Sequence, residues 1–212
     1  IDFSVIKSVE KIMISNVNHS IVLVKLKEIL STFKCPIIEA TSVSNEYLMN
    51  DYEDLNTLGI DRWLAALGAW KLYQKPLLVI NAGTAITIDL IELDQKNKAH
   101  FKGGMILPGV AISLGILNNS TNLIDTEIGQ SHYPSLNTKD AVTTGIMTSI
   151  QGAVNLVCRK LPSSLPILLT GGDANLIYKQ SEEDWKSVVF NGKKYRRETD
   201  TLDTFVDSSW YF

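Results

Sequence analysis

Cysteine and histidine are scarce, with two of the first and three of the second in 212 residues. Cys35 and Cys158 lie far apart and lack CxxC spacing, so they read as buried thiols of a reducing compartment rather than metal ligands. His19, His100 and His132 do not cluster, which argues against a zinc site. Basic charge is not in excess. Twenty Lys and Arg against 23 Asp and Glu give a net charge of −3, which argues against the footprint of a nucleic-acid-binding surface. No apolar run reaches the roughly 18 residues of a membrane helix. The opening stretch, "IDFSVIKSVEKIMIS", has no signal-peptide core. These absences predict a cytoplasmic protein whose partners are neither nucleic acid nor membrane. Two phosphate-binding fingerprints are missing as well, since neither GxxxxGK[ST] nor GxGxxG occurs. The first residue is Ile1 rather than Met, which predicts a chain that is a fragment of a longer one.

What is present is ordinary globular material. Hydrophobic residues make up 45% and charged residues 20%, enough for a core without a disulfide or metal staple. "EKIMIS" predicts a short strand, "IVLVKLKEILSTF" a helix with Lys25, Lys27 and Glu28 on its polar side, and "CPIIEAT" a second strand. "SVSNEYLMNDYEDLNTLG" is polar and rich in turn formers, and predicts a surface loop. A helix is predicted from Asp61 to about Gln74, with Asp61 as N-cap. "PLLVI" and "AITIDLIEL" predict strands joined by a tight turn at "NAGTA", and "AHFKGGMILPG" a third strand ending in glycines and a proline. Helices follow at "VAISLGIL" and, capped by Asn137 or Thr138, at "NTKDAVTTGIMTSIQGAVNLVCRKL". "LPILLT" predicts a strand, "GGDA" a turn and "ANLIYKQ" a helix start, whereas the charged and aromatic segment from Glu182 has no clear pattern. Strands alternating with helices predict an α/β fold with a mixed sheet, divided into residues 1–75 and 76–212.

Four short motifs could carry chemistry. In "NAGTA", Gly83 permits a reversal, small neighbours leave amides uncovered and Thr84 adds a hydroxyl, a combination that can cradle phosphate or be a plain β-turn. "GGMILPG" could hold backbone close to a ligand, or only end a strand. "TGGDA" places Gly171 and Gly172 at the start of a helix, where an anion or a nucleotide can sit. In "GIDRW", Asp61 could take a proton from a hydroxyl while Arg62 holds an anionic group. The alternative there is an Asp61–Arg62 pair on the surface.

The order of these motifs, with the "NT"-led helix behind them, resembles type III pantothenate kinases, in particular the branch that includes Bvg accessory factor-like proteins. The resemblance runs from about Lys11 to Ala174. It implies the two-lobed actin/Hsp70/sugar-kinase (ribonuclease H-like) fold. It also implies ATP-dependent phosphorylation of the primary hydroxyl of pantothenate, the first step of coenzyme A synthesis, by a homodimer. Under it Asp61 is the proton acceptor, and Gly59, Ile60, Asp61 and Arg62 surround pantothenate. Tyr52 matches a substrate-contacting tyrosine, Gly83 and Thr84 lie at the ATP phosphates, and Thr138 in "LNTKDA" reaches pantothenate, acting across the dimer interface.

Two departures stand out. The family's Asp-x-Gly-Asn-Thr-like hairpin, which binds phosphate and Mg²⁺, does not occur in this chain. Its first strand, in "KIMISNV", matches the strand after that region, so the N-terminal lobe is expected to be incomplete. Position 81, often an Asp tied to K⁺ or NH4⁺, is Asn81, whose amide lacks the charge that favours the cation. The competing functional readings are a non-catalytic regulatory or binding homologue and a different enzyme on the same fold.

Overall fold

The computed structural model describes residues 9–17, 20–121, 127–181, 187–190 and 193–196. It opens with a β–α–β unit: β1 (Ile12–Ile14), α1 (Ser20–Leu30) and β2 (Ile37–Glu39), with β1 and β2 parallel. Much apolar surface of this unit faces outward, including Met13 and Ile21, each 67% exposed. The two strands form a sheet of their own with no further strand among the described residues.

The main sheet has five strands in the order β3 (Met49–Asn50), β6 (Ala99–Pro108), β5 (Ala85–Leu93), β4 (Leu77–Ala82), β7 (Ile167–Thr170). β4, β5 and β6 form an antiparallel meander, while β7 joins β4 and β3 joins β6 in parallel. Strand residues point alternately to two faces, and both faces are covered. On one, Leu77, Val79, Ile91, Phe101 and Leu168 pack with Trp63, Ala66 and Ala69 of α2 (Ile60–Tyr73). On the other, Leu78, Ile80, Ile86 and Ile88 meet α3 (Val110–Thr121), α4 (Thr138–Cys158) and α5 (Ala174–Gln180). A separate hairpin joins β8 (Ser187–Phe190) to β9 (Lys193–Arg196) in the segment whose sequence shows no clear pattern.

Helix limits follow local chemistry. α2 stops where Gln74 turns left-handed and donates its N–H to Trp70 O, two residues before Pro76. α4 starts on Asn137, whose side chain accepts from Asp140 N at 2.9 Å. By length and composition α4 would suit a membrane span, yet its inner residues, including Met147 and Val154, are part of the core.

Four expectations need correction. The N-cap of α2 is Gly59, and Asp61 is the second helical residue. Gly103 and Gly104 sit inside β6 rather than at its end. The predicted surface loop over residues 42–59 contains β3 and buries Leu48 and Leu58, because β3 has only two residues and leaves no periodicity to detect. Cys35 and Cys158 are half-buried, not fully buried.

Candidate active site

Helix α2 begins without a side chain at Gly59, and that gap sets the position of the Asp61 carboxylate. A Cβ at Gly59 would stand 2.4 Å from Asp61 Oδ1, so the carboxylate lies back over the helix start in space that only glycine leaves open. Asp61 takes no hydrogen bond or ion pair from any side chain among the described residues. Its neighbour Ile60 is buried.

Arg62 turns the other way, toward the sheet, and is 4% exposed. Its Nε donates to Asp89 Oδ2 at 3.2 Å and its Nη2 to Asp89 Oδ1, a two-pronged fork onto a carboxylate in the middle of β5. Nη1 donates to the Tyr52 hydroxyl at 3.2 Å. The guanidinium also lies 5.5 Å from the Tyr52 ring centre and 5.8 Å from that of Phe101. Arg62 therefore pairs with Asp89 and not with Asp61. Burial pushes the Asp89 carboxyl up, against the pull of the Arg62 fork. The charge of Asp61 nearby adds to that rise.

The two glycines inside β6 make room for this cluster. A Cβ on Gly104 would meet Ile88 O at 1.9 Å and Asp89 Oδ1 at 2.6 Å. Gly103 has φ +82° and lies against the Tyr52 ring, and the β5–β6 register shifts between Asp89 and Ile91.

A second centre lies at the end of the sheet, where two glycine-bearing stretches meet the β4–β5 turn at Gly83 and Thr84. A Cβ on Gly109 would stand 2.1 Å from Gly83 O, and one on Gly171, at φ +97°, would stand 2.3 Å from Ala82 O. Gly109 N donates to Thr84 O and Asp173 N to Ala82 O. Gly83 N is taken by Ala85 O, so these three donors hold the turn together. Thr84 and Gly172 are exposed at its rim.

Between the centres runs a polar strip on the α2 face. Asn81 pairs with Thr87 on one side and Thr170 on the other. Thr87 and Thr170 are 4% and 1% exposed, and both hydroxyls are buried without a hydrogen-bond partner. Asp89 lies four residues after Ala85 along β5, about 13 Å of strand.

The structure thus brings Tyr52, Gly59, Ile60, Asp61 and Arg62 together, and Gly83, Thr84, Gly171 and Gly172 together, with Asn81 between. Thr138 is not with them. It lies in the opposite helical layer, in a groove of about 1170 Å³ lined also by Pro108, Ile116, Leu136 and Gly145. Sequence reasoning missed Asp89, Thr87, Thr170 and the reason for Gly104. A signal for Asp89 was available, since "AITIDLIEL" carries one acid at an inward position among apolar residues.

A family model described as type III pantothenate kinase matches residues 2–160. A type III pantothenate kinase from Methylobacillus flagellatus is 37% identical over 141 residues, 65% of this chain and 55% of that one. Another, from Hahella chejuensis, is 33% identical over 159 residues, 74% of this chain and 65% of that one. The chain therefore spans about half to two thirds of the length of these relatives. Among solved structures, a Baf family transcriptional activator from Campylobacter jejuni superposes with a TM-score of 0.52 at 29% identity, over 82% of this chain and 74% of that one. With that likeness, the fold is the mixed α/β, actin-like one.

Proposed function

The chain belongs to the type III pantothenate kinase family, and on that premise we propose that the protein transfers the γ-phosphoryl group of ATP to the primary hydroxyl of pantothenate, forming 4′-phosphopantothenate. The observation that carries this reading is the unpaired Asp61 carboxylate, held over Gly59 while its neighbour Arg62 is engaged elsewhere. Asp61 takes the hydroxyl proton. The oxygen bonds to the γ-phosphorus, the bond to the β–γ bridging oxygen breaks, and ADP leaves with that electron pair. Tyr52, Gly59, Ile60 and Arg62 form the wall around pantothenate. Gly83, Thr84, Gly171 and Gly172 border the phosphates. The chain's contribution is mainly positioning and charge stabilisation.

Among the described residues no cluster of three His, Cys, Asp or Glu could hold a metal by itself. Asn81, Thr87 and Thr170 offer neutral oxygens, and the two unpaired hydroxyls suit a weakly held K⁺ or NH4⁺, whose charge would draw phosphate toward the turn. Thr138 fits this reading if a second copy brings it to the substrate, hence a homodimer.

The test is turnover of pantothenate with ATP by the wild type and Asp61→Asn. The variant should melt like wild type and lose about 10²–10⁴ in turnover. Equal rates would refute the assignment. Pantothenate binding without any turnover by the wild type would favour a non-catalytic homologue.

A further inference from the structure

We propose that Asp89 is a positioning residue for the phosphoryl acceptor: it holds Arg62 so that the guanidinium anchors Tyr52. The inference rests on the pantothenate kinase reading, and gives a role to a residue that the family resemblance left without one.

Arg62 and Asp61 are adjacent at the start of α2, so their side chains leave the helix on different sides and Arg62 turns toward the sheet. Asp89 meets it there. It takes two of the guanidinium's N–H groups, and the geometry of the fork points a third at the Tyr52 hydroxyl. The carboxylate is 2% exposed, so water does not loosen the pair. Gly104 leaves space for Oδ1, and Gly103 at φ +82° lets the Tyr52 ring settle against β6. The second anchor on the Tyr52 segment lies next to it, where Asp51 N donates to Phe101 O. Three parts of the chain, around residues 52, 62 and 89, are thereby locked in one geometry before substrate arrives. A buried acid used only for stability would not need its partner's remaining edge to end on a residue of the substrate wall.

The prediction separates Asp89 from a merely structural acid through Arg62. Asp89→Asn should lower kcat/KM for pantothenate about 10²-fold, the cost of a misplaced wall, and leave KM for ATP unchanged because the Gly83–Thr84 turn lies at the other end of the strip. Arg62→Gln should do the same. In the Arg62→Gln background, adding Asp89→Asn should change kcat/KM for pantothenate by less than about threefold, because Asp89 has nothing left to hold. Removing both charges also spares the fold from a lone buried charge, so this comparison decides even if Asp89→Asn alone does not fold. A further large loss on adding Asp89→Asn to Arg62→Gln would overturn the proposal, as would a wild-type kcat/KM in Asp89→Asn. Melting temperatures of the same four proteins without ligand are the independent reading: strong coupling between positions 62 and 89 is expected, and additive shifts would overturn the linkage. If the wild type turns over no pantothenate, the functional reading and the substrate role of Asp89 fall together, while the melting comparison still decides the linkage itself.

Discussion

Arg62 and Asp89 are joined across the helix–sheet interface by Nε–Oδ2 at 3.2 Å and Nη2–Oδ1 at 2.5 Å, between side chains 4% and 2% exposed and 27 residues apart in sequence. A lysine at position 62 keeps the charge but offers a single point donor in place of the fork, and its ammonium resists desolvation more strongly. Arg62→Lys should therefore cost about 2–4 kcal/mol, read as a lower urea midpoint with an unchanged slope. A loss below about 0.5 kcal/mol would mean that the fork contributes little to the fold.

The glycines divide into two classes that mutation should separate. Gly104→Ala puts a methyl 1.9 Å from a backbone oxygen of the neighbouring strand, so β5 and β6 must part or the chain must misfold. Gly68, inside α2, has open space beyond its Cα. Gly68→Ala should stabilise by up to about 1 kcal/mol through helix propensity. Thermal melts of the two variants should shift in opposite directions.

Acid should weaken the anchoring of β3. Asp51, next to it, accepts from Lys102 Nζ at 2.6 Å and lies 2.7 Å from His100 Nδ1. Partial burial pushes its carboxyl up, but the Lys102 and His100 contacts outweigh this and hold it below the ordinary carboxylate value. A carboxyl lowered by folding stabilises above the unfolded value and loses that contribution as pH falls through the folded one. Stability should thus drop below about pH 4, and Asp51→Asn should make that decline shallower. It should not abolish it, since Asp94, held by Lys98 N–H, and Asp140, held by Gln130 N–H, are shifted the same way. At neutral pH the variant should cost less than about 1 kcal/mol because the site is partly solvated.

Under the proposed function, cation dependence should rest on Asn81 and the two unpaired hydroxyls beside it. With a neutral amide the wild type should be nearly indifferent to replacing K⁺ by tetramethylammonium, and Asn81→Asp should become K⁺-responsive. Wild-type activity that collapses without K⁺, with Asn81→Asp responding identically, would show that the charge at position 81 does not matter.

A dimer should form through the groove that contains Thr138. Leu136 is 92% exposed there, and a second copy would cover it together with Ile116. Light scattering at micromolar concentration should report twice the chain mass, and Leu136→Asp should shift it toward one. A wild-type monomer would remove the proposed route by which Thr138 meets the substrate.

The elements of this fold were legible where their causes are local. The apolar run of "PLLVI", the alternation in "AITIDLIEL", the apolar spacing of α2 and α4, the Asn137 cap and the small turn at Gly83 each rest on interactions within a few residues, and each was readable in the one-dimensional string. The ordered motifs were likewise enough to indicate the family. What the string did not contain was the partner of Arg62. Asp61 is its neighbour in sequence, but helical geometry sends the two side chains to different sides, and the register of β5 against β6 brings Asp89 under the guanidinium. The same holds for Gly104, whose need appears only when Asp89 Oδ1 is set against it, and for Thr138, which sequence order brings close to the motifs and the sheet separates from them. Short-range propensity decides elements, whereas pairings that close long loops depend on register and layer, which only the packed molecule defines.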